Sequence, residues 1–204
     1  MSAANSPSFP VFRPLADVVL PRPGGKTAAL ATNAVLVVVG SLLVAVCARL
    51  VIPLPFTPVP ITGQTFGVLL VGMLLGQKRG TLSLLVYLGE GAAGFPVFQS
   101  GTSGLAHLFG PTAGYLWSYP FAAALMGALV ERGWDRSPLR AAAAMLLGGL
   151  LILAMGTLWL AHCTGDLRMA FLQGCAPFLL GDLVKTMFAA TLLPGGWKLL
   201  NSKK

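Results

Sequence analysis

Asp182 and Lys185 are the two residues whose chemistry least suits their surroundings. They lie in GDLVK, inside the otherwise apolar stretch 174–193. Their three-residue spacing puts both on one face of a helix. A charge near the centre of a bilayer costs about 2.5–3.5 kcal/mol on insertion scales, so the pair must face the protein interior. There the two either neutralise each other as an internal ion pair or form the polar part of a binding pocket at membrane depth. The pocket is the preferred reading. Phe178 and Ala189 extend the same stripe, whereas Leu179, Leu183 and Met187 fall off it. Glu90 follows Tyr87 by one turn and is the only acid between Asp17 and Glu131. It is either a solvated helix-end carboxylate or part of the same site. Gln64 opens a helix after a proline-rich run.

Other chemistries are weaker. His107 and His162 are the only histidines, and with the scattered Cys47, Cys163 and Cys175 they offer no metal-ligand spacing. GGKT at Gly24–Thr27 lacks the glycine a P-loop needs at position 20, which is Leu20. No ATP-hydrolysing part is visible. Gly101-Thr102-Ser103-Gly104 resembles the GxSG nucleophile signature of rhomboid intramembrane proteases, six-helix enzymes with a Ser–His dyad. That alternative would use Ser103 and a histidine, and it leaves Asp182 and Lys185 without a role.

The elements that must position these residues are membrane elements. Charged residues make up 10% of the chain and hydrophobic ones 55%, against about 25% charged in soluble domains. A cytosolic enzyme, a secreted disulfide scaffold, a disordered tail and a DNA-binding domain are all disfavoured. The first span is Ala28–Ala48, long enough at about 1.5 Å per residue to cross a hydrocarbon core of roughly 30 Å. Prolines at 53, 55, 58 and 60 then forbid a regular helix. Helices follow at about Ile61–Gly76 and, after the Gln77–Gly80 turn, Thr81–Ala93. Phe95–Gly114 is uncharged and glycine-rich, and it reads as a long irregular segment of the kind that carries function. Tyr115–Val130, Ala141–Ala161 and Gly174–Leu193 complete six spans, with loops at Glu131–Arg140 and His162–Gln173. Cys163 and Cys175 would pair only if their loop faced an oxidising compartment; burial as small hydrophobes is preferred. No cleaved signal peptide is evident at the N-terminus.

Charge sets the orientation. With six spans, Arg13, Arg22, Lys26, Lys78, Arg79, Arg132, Arg136, Arg140, Lys198, Lys203 and Lys204 share one side. Arg49 and Arg168 take the other, and Lys185 lies within the membrane. The positive-inside rule then places both termini in the cytoplasm. The net charge of +8 becomes an orientation signal, with no nucleic-acid partner required.

Three segments carry a family resemblance: PLPFTPVPITGQTFGVLLVGMLLGQKRG (Pro53–Gly80), GFPVFQSGTSGLAHLFGPTAGY (Gly94–Tyr115) and GDLVK (Gly181–Lys185). Together they resemble the BioY family, the biotin-specific substrate-binding (S) components of energy-coupling-factor (ECF) transporters, over about residues 28–193. The resemblance implies a multi-pass plasma-membrane protein of all-α class, with six transmembrane helices and a lid after the third. It implies biotin as transported ligand rather than cofactor, no enzymatic activity and no metal. Its partners would be a transmembrane coupling subunit, two cytoplasmic ATPases and membrane lipid. The expected organisation is an irregular cytoplasmic tail over 1–25, the transmembrane domain over 26–197 and a basic tail over 198–204. The family's first helix often carries small residues at four-residue spacing for the coupling subunit; here Ala28, Ala29, Ala31 and Ala34 form no clean A-x-x-x-A. The implied substrate site uses Asp182 as acceptor for a ureido N–H and Lys185 as donor to the ureido carbonyl or the carboxylate. Gln64, Tyr87, Glu90 and Phe98 complete its wall, and Ser100, Thr102 and Ser103 close it from the lid. An S component for a different vitamin and a purely structural membrane subunit are the remaining rivals.

Overall fold

The structure is a computed structural model that describes residues 12–21 and 24–201, the side chains of 188–190, 192–193, 196 and 198–201 excepted. Its regular structure is helical apart from one ribbon of two two-residue strands. The elements run α1 (Leu15–Val19), α2 (Lys26–Cys47), β1 (Val51–Ile52), β2 (Ile61–Thr62), α3 (Gln64–Ala92), α4 (Ala113–Val130), α5 (Pro138–Thr164), α6 (Leu167–Gly174) and α7 (Ala176–Asn201). Among the described residues, five helical stretches are long and apolar enough to cross a membrane: Lys26–Cys47, Gln64–Ala92, Ala113–Val130, Pro138–Thr164 and Leu167–Met187. Their outer faces carry exposed leucines such as Leu30, Leu150, Leu158 and Leu180. An apolar exterior of this kind has lipid as its natural solvent. The chain is a membrane protein.

α3 is two helical arms. Gly76 adopts φ 81° and ψ 179°, a conformation that interrupts the helix and that an L side chain rarely accepts. The arms fold back on each other there: Gln64 and Tyr87, near their far ends, share a hydrogen bond of 2.6 Å. A straight helix would hold those residues roughly 35 Å apart. The break lies close to the turn expected at Gln77–Gly80.

Three boundaries depart from the sequence reading. The loop expected over His162–Gln173 is largely helical. α5 continues to Thr164, Gly165 caps it in the left-handed conformation, and Asp166 starts α6 by accepting the backbone N–H of Met169 at 3.0 Å. α7 continues to Asn201 through Pro194, where the sequence suggested a stop at Leu193. The tail expected to be irregular contains α1 over Leu15–Val19. Residues 1–11 of that tail, together with Arg22, Lys203 and Lys204 of the charge count, lie outside the described residues, as do the side chains of Ala189 and Lys198. All three cysteines are free, and Cys163 is exposed.

The two ends of the bundle are built differently. At one end β1 and β2 pair antiparallel, Val51 opposite Thr62 and Ile52 opposite Ile61, and throw the proline run 53–60 out as a loop. Thr57 ties that loop to α6 through a 2.9 Å bond to the Gln173 carbonyl. The lid segment lies at the same end. At the other end α1 packs beneath the Gly76 turn, with the Phe12 N–H donating to the Glu131 carbonyl at 2.8 Å.

Candidate functional site

A pocket opens between the proline loop, the lid, α3, α4 and α7, with about 560 Å³ of empty space counting its open mouth. Asp182 and Lys185 reach it from α7, joined by Phe178 on the same stripe. The opposite face of α7 presents Leu180, Leu183, Val184 and Met187 to the exterior. The spacing argument for an inward-facing pair therefore holds, and Phe178 lies where that stripe predicts.

The polar floor has a definite donor and acceptor pattern. Lys185 Nζ donates to Asp182 Oδ1 at 3.1 Å and to Thr65 Oγ1 at 2.7 Å. An ammonium has three N–H groups, so one remains. Asp182 Oδ2 engages in no hydrogen bond among the described residues. Gln64 accepts from the Thr62 hydroxyl at 3.1 Å and donates one amide N–H to the Tyr87 hydroxyl at 2.6 Å. Its second amide N–H remains. Tyr87 in turn donates to the Val97 carbonyl at 3.0 Å. The pocket thus offers a spare cationic N–H, a spare amide N–H and a spare carboxylate oxygen.

The walls are aromatic. Tyr115, Tyr119, Phe98, His107 and Phe178 line the pocket. Phe98 is buried, and its ring meets Tyr87 edge-on at 5.6 Å and His107 at 5.7 Å. The lid that carries Phe98 and His107 is irregular but well tethered. The Gly104 N–H donates to the Gly91 carbonyl at 2.8 Å, Arg49 to the Pro96 carbonyl at 2.7 Å, and the Trp117 and Trp159 indoles to the Leu108 and Gly110 carbonyls at 3.0 and 2.9 Å. Gly91 leaves the space this packing needs. A Cβ there would stand 2.0 Å from the Phe98 ring.

Of the seven residues proposed from the sequence, Asp182, Lys185, Gln64 and Phe98 line the pocket. Tyr87 stands behind the wall, fully buried, and acts on the pocket only by orienting Gln64. Glu90 lies elsewhere: it accepts a short hydrogen bond from Ser41 and so joins α3 to α2. Ser103 does not line the pocket. Ser100 and Thr102 are also absent from the lining, and Thr102 bonds locally to the Gln99 carbonyl at 2.8 Å. Among the described residues Ser103 has no hydrogen bond to His107 or His162, and His162 sits beside Trp159 on α5. The Ser–His reading has no geometric support. No cluster of three metal-ligating side chains occurs among the described residues.

The lining residues that spacing did not single out include Thr65, Gln99, His107, Tyr115 and Tyr119. Thr65 stands next to Gln64 in the quoted segment, and one helical turn of reasoning would have reached it. His107 and Gln99 lie in the irregular lid, where no periodicity tells which side chain points inward.

This fold has a known counterpart. A crystal structure described as the S-component for biotin from an ECF-type ABC transporter superposes with a TM-score of 0.73, covering 86% of this chain and 95% of that one at 24% identity. At that identity the likeness establishes the shared fold. The model of the BioY family matches residues 22–202. The chain belongs to the BioY family. A probable biotin transporter BioY of Pyrococcus horikoshii is 41% identical over 66% of this chain and 78% of its own length. The biotin transporter BioY2 of Lactococcus lactis is 36% identical over 78% and 88%. The biotin transporter BioY of Thermotoga maritima is 38% identical over 69% and 82%.

Proposed function

We propose that this chain binds biotin as the substrate-specific S component of an ECF-type transporter in the plasma membrane. The observation that carries the reading is the unsatisfied pattern of the pocket floor. Biotin's ureido ring presents two N–H donors and one carbonyl acceptor. Asp182 Oδ2 receives a ureido N–H, and the remaining N–H groups of Lys185 and Gln64 receive the carbonyl or the tail carboxylate. The apolar thioether ring packs against Phe98, Tyr115, Tyr119 and Phe178. A charge-assisted bond in such a site is worth about 1.5–3 kcal/mol. No bond is made or broken, and biotin is cargo rather than cofactor.

In this reading the two arms of α3 count as separate spans, giving six, and both termini lie in the cytoplasm. The transmembrane domain occupies 26–197 between a cytoplasmic tail and a short basic C-terminal tail. A coupling subunit and two cytoplasmic ATPases supply the energy, in keeping with the absence of a P-loop at Gly24–Thr27. The apolar outer face of α2, with Val35, Val39, Leu42 and Val46 exposed, is the surface offered to the coupling subunit.

Equilibrium binding of radiolabelled biotin to the purified chain tests the reading. Asp182→Asn, which keeps the shape and loses the charge, is expected to weaken binding tenfold or more. Wild-type affinity in that variant would remove Asp182 from the site. Binding of another vitamin in place of biotin would overturn the substrate.

A further inference from the structure

A second cavity lies at the opposite end of the molecule from the pocket. It is a groove of about 1440 Å³, counting its open side, between α1, α2 and the second arm of α3. Its wall is aliphatic: Leu30, Ala34 and Val37 from α2 face Leu82 and Val86 from α3. Leu30 and Leu82 are exposed, so the wall opens onto the lipid-facing side of the bundle. Its rim is ionic, with Arg13, Lys78 and Arg79 beside Asp17 and Glu131. A shallower groove of about 950 Å³ adjoins it and shares Arg13, Asp17, Asn33 and Arg79.

The charges at this rim do not cancel evenly. Arg79 is committed to the protein, donating to Asp17 at 2.5 Å and to Asn33 at 2.8 Å. Glu131 accepts the Gln77 backbone N–H at 3.0 Å. Asp17 is thereby paired with a cation, whereas Glu131 keeps its charge, so the three cations and two acids of the rim leave a net charge of +1. Arg13 and Lys78 are exposed and have no ion-pair or hydrogen-bond partner among the described residues. The groove therefore presents two unpartnered cations at the mouth of an apolar trough. That combination complements an amphiphile with an anionic head and a hydrocarbon tail. Basic pockets between membrane helices recognise lipid headgroups in this way. A polar peptide would leave the aliphatic wall uncovered, and a zwitterionic lipid, whose phosphate is already balanced by its own ammonium, would bring no net negative charge to the cations.

We propose that this groove is a binding site for one anionic phospholipid of the membrane leaflet at that end. The phosphate lies against Arg13 and Lys78, and an acyl chain runs along Leu30, Val37, Leu82 and Val86. Arg79 and Asp17 fix the rim by holding α1 against α3. A bound lipid would bridge α1, α2 and the second arm of α3, so it would stabilise the end of the bundle remote from the pocket.

The test uses the purified full-length chain in a neutral detergent, with phosphatidylglycerol and phosphatidylcholine of identical acyl chains, read by native mass spectrometry. Phosphatidylglycerol is expected to bind at least fivefold more tightly. Joint replacement of the exposed pair, Arg13→Ala with Lys78→Ala, should reduce that preference to below twofold, while Arg140→Ala should leave it unchanged. Ala34→Phe keeps both cations but fills the trough and should lower binding of both lipids. Millimolar inorganic phosphate should not displace the lipid. Equal binding of the two lipids, or a preference that survives the double replacement, would overturn the site. So would undiminished lipid binding in Ala34→Phe. Displacement by inorganic phosphate would show a plain anion site, and dimers that exclude the lipid would show a second copy in the groove; either result overturns the proposal.

Discussion

Lys185 uses two of its N–H groups inside the protein, and the geometry leaves the third for a ligand. Residues behind the pocket matter for the same reason. Tyr87→Phe removes the acceptor of Gln64 and the donor to Val97 together. A buried polar group left without a partner costs about 1–3 kcal/mol. The expected outcome is a lower melting temperature and a biotin affinity reduced about three- to tenfold as Gln64 loses its orientation. Glu90→Gln provides the contrast. Its side chain can still accept from Ser41, so affinity should stay within twofold of wild type. Equilibrium binding and thermal unfolding of the two variants check both statements, and a large affinity loss in Glu90→Gln would return that residue to the site.

At the scale of elements, the seat of the Phe98 ring of the lid depends on a glycine. Gly91→Ala would drive a methyl group into the Phe98 ring. Overpacking of this kind costs about 1–3 kcal/mol. The ring must leave its place between Tyr87 and His107, and a roughly tenfold loss of biotin affinity is expected by the same binding assay. A second element-scale contact ties the other end together. Trp197 on α7 donates to Asp135 at 2.6 Å, and the Arg136 guanidinium lies 4.4 Å from the Phe12 ring and 4.5 Å from the Trp197 ring. Burial pushes the Asp135 carboxyl above its ordinary range, and the Trp197 bond and the Arg136 charge only partly oppose it. The folded chain therefore holds that proton more tightly than the unfolded chain does. Stability should fall as pH rises from about 4, the unfolded value, through the raised folded value. Asp135→Asn keeps an acceptor for Trp197 and should flatten that part of the profile in detergent melting curves recorded across pH. An unchanged slope would remove Asp135 as its source.

At the scale of the whole molecule, described basic residues outside the pocket divide between the two ends of the bundle. Arg49 and Arg168 lie at the pocket end, with the lid and α6, while Arg13, Lys78, Arg79 and Arg136 lie at the end closed by α1 and Trp197. If the first end faces outward, a membrane-impermeant maleimide should label the free, exposed Cys163 in intact cells. A cysteine placed at Ser137 should be labelled only after permeabilisation. Peptide mapping of the labelled sites reads the result, and the opposite pattern would invert the orientation.

Composition and spacing were enough to read a helical membrane protein and the inward-facing Asp182–Lys185 pair, because burying a charge in a bilayer is costly enough for a single sequence to reveal it. Gln64 and Phe98, which line the pocket, were named from the family resemblance and not from that cost. Glu90 and Ser103, named in the same way, lie outside the lining: Glu90 meets Ser41, 49 positions away on another helix, and a hydroxyl in a glycine-rich lid carries no directional signal. The sequence reading also missed α6, although Gly165-Asp166 is a helix-stop and helix-start pair. Which lid residues face the pocket, and that Tyr87 supports Gln64 from behind, depend on the fold-back at Gly76 and on tethers between distant carbonyls and indoles. Those are contacts across the chain, and local periodicity holds no record of them. Tertiary structure alone decided how many donors and acceptors the pocket has left to offer.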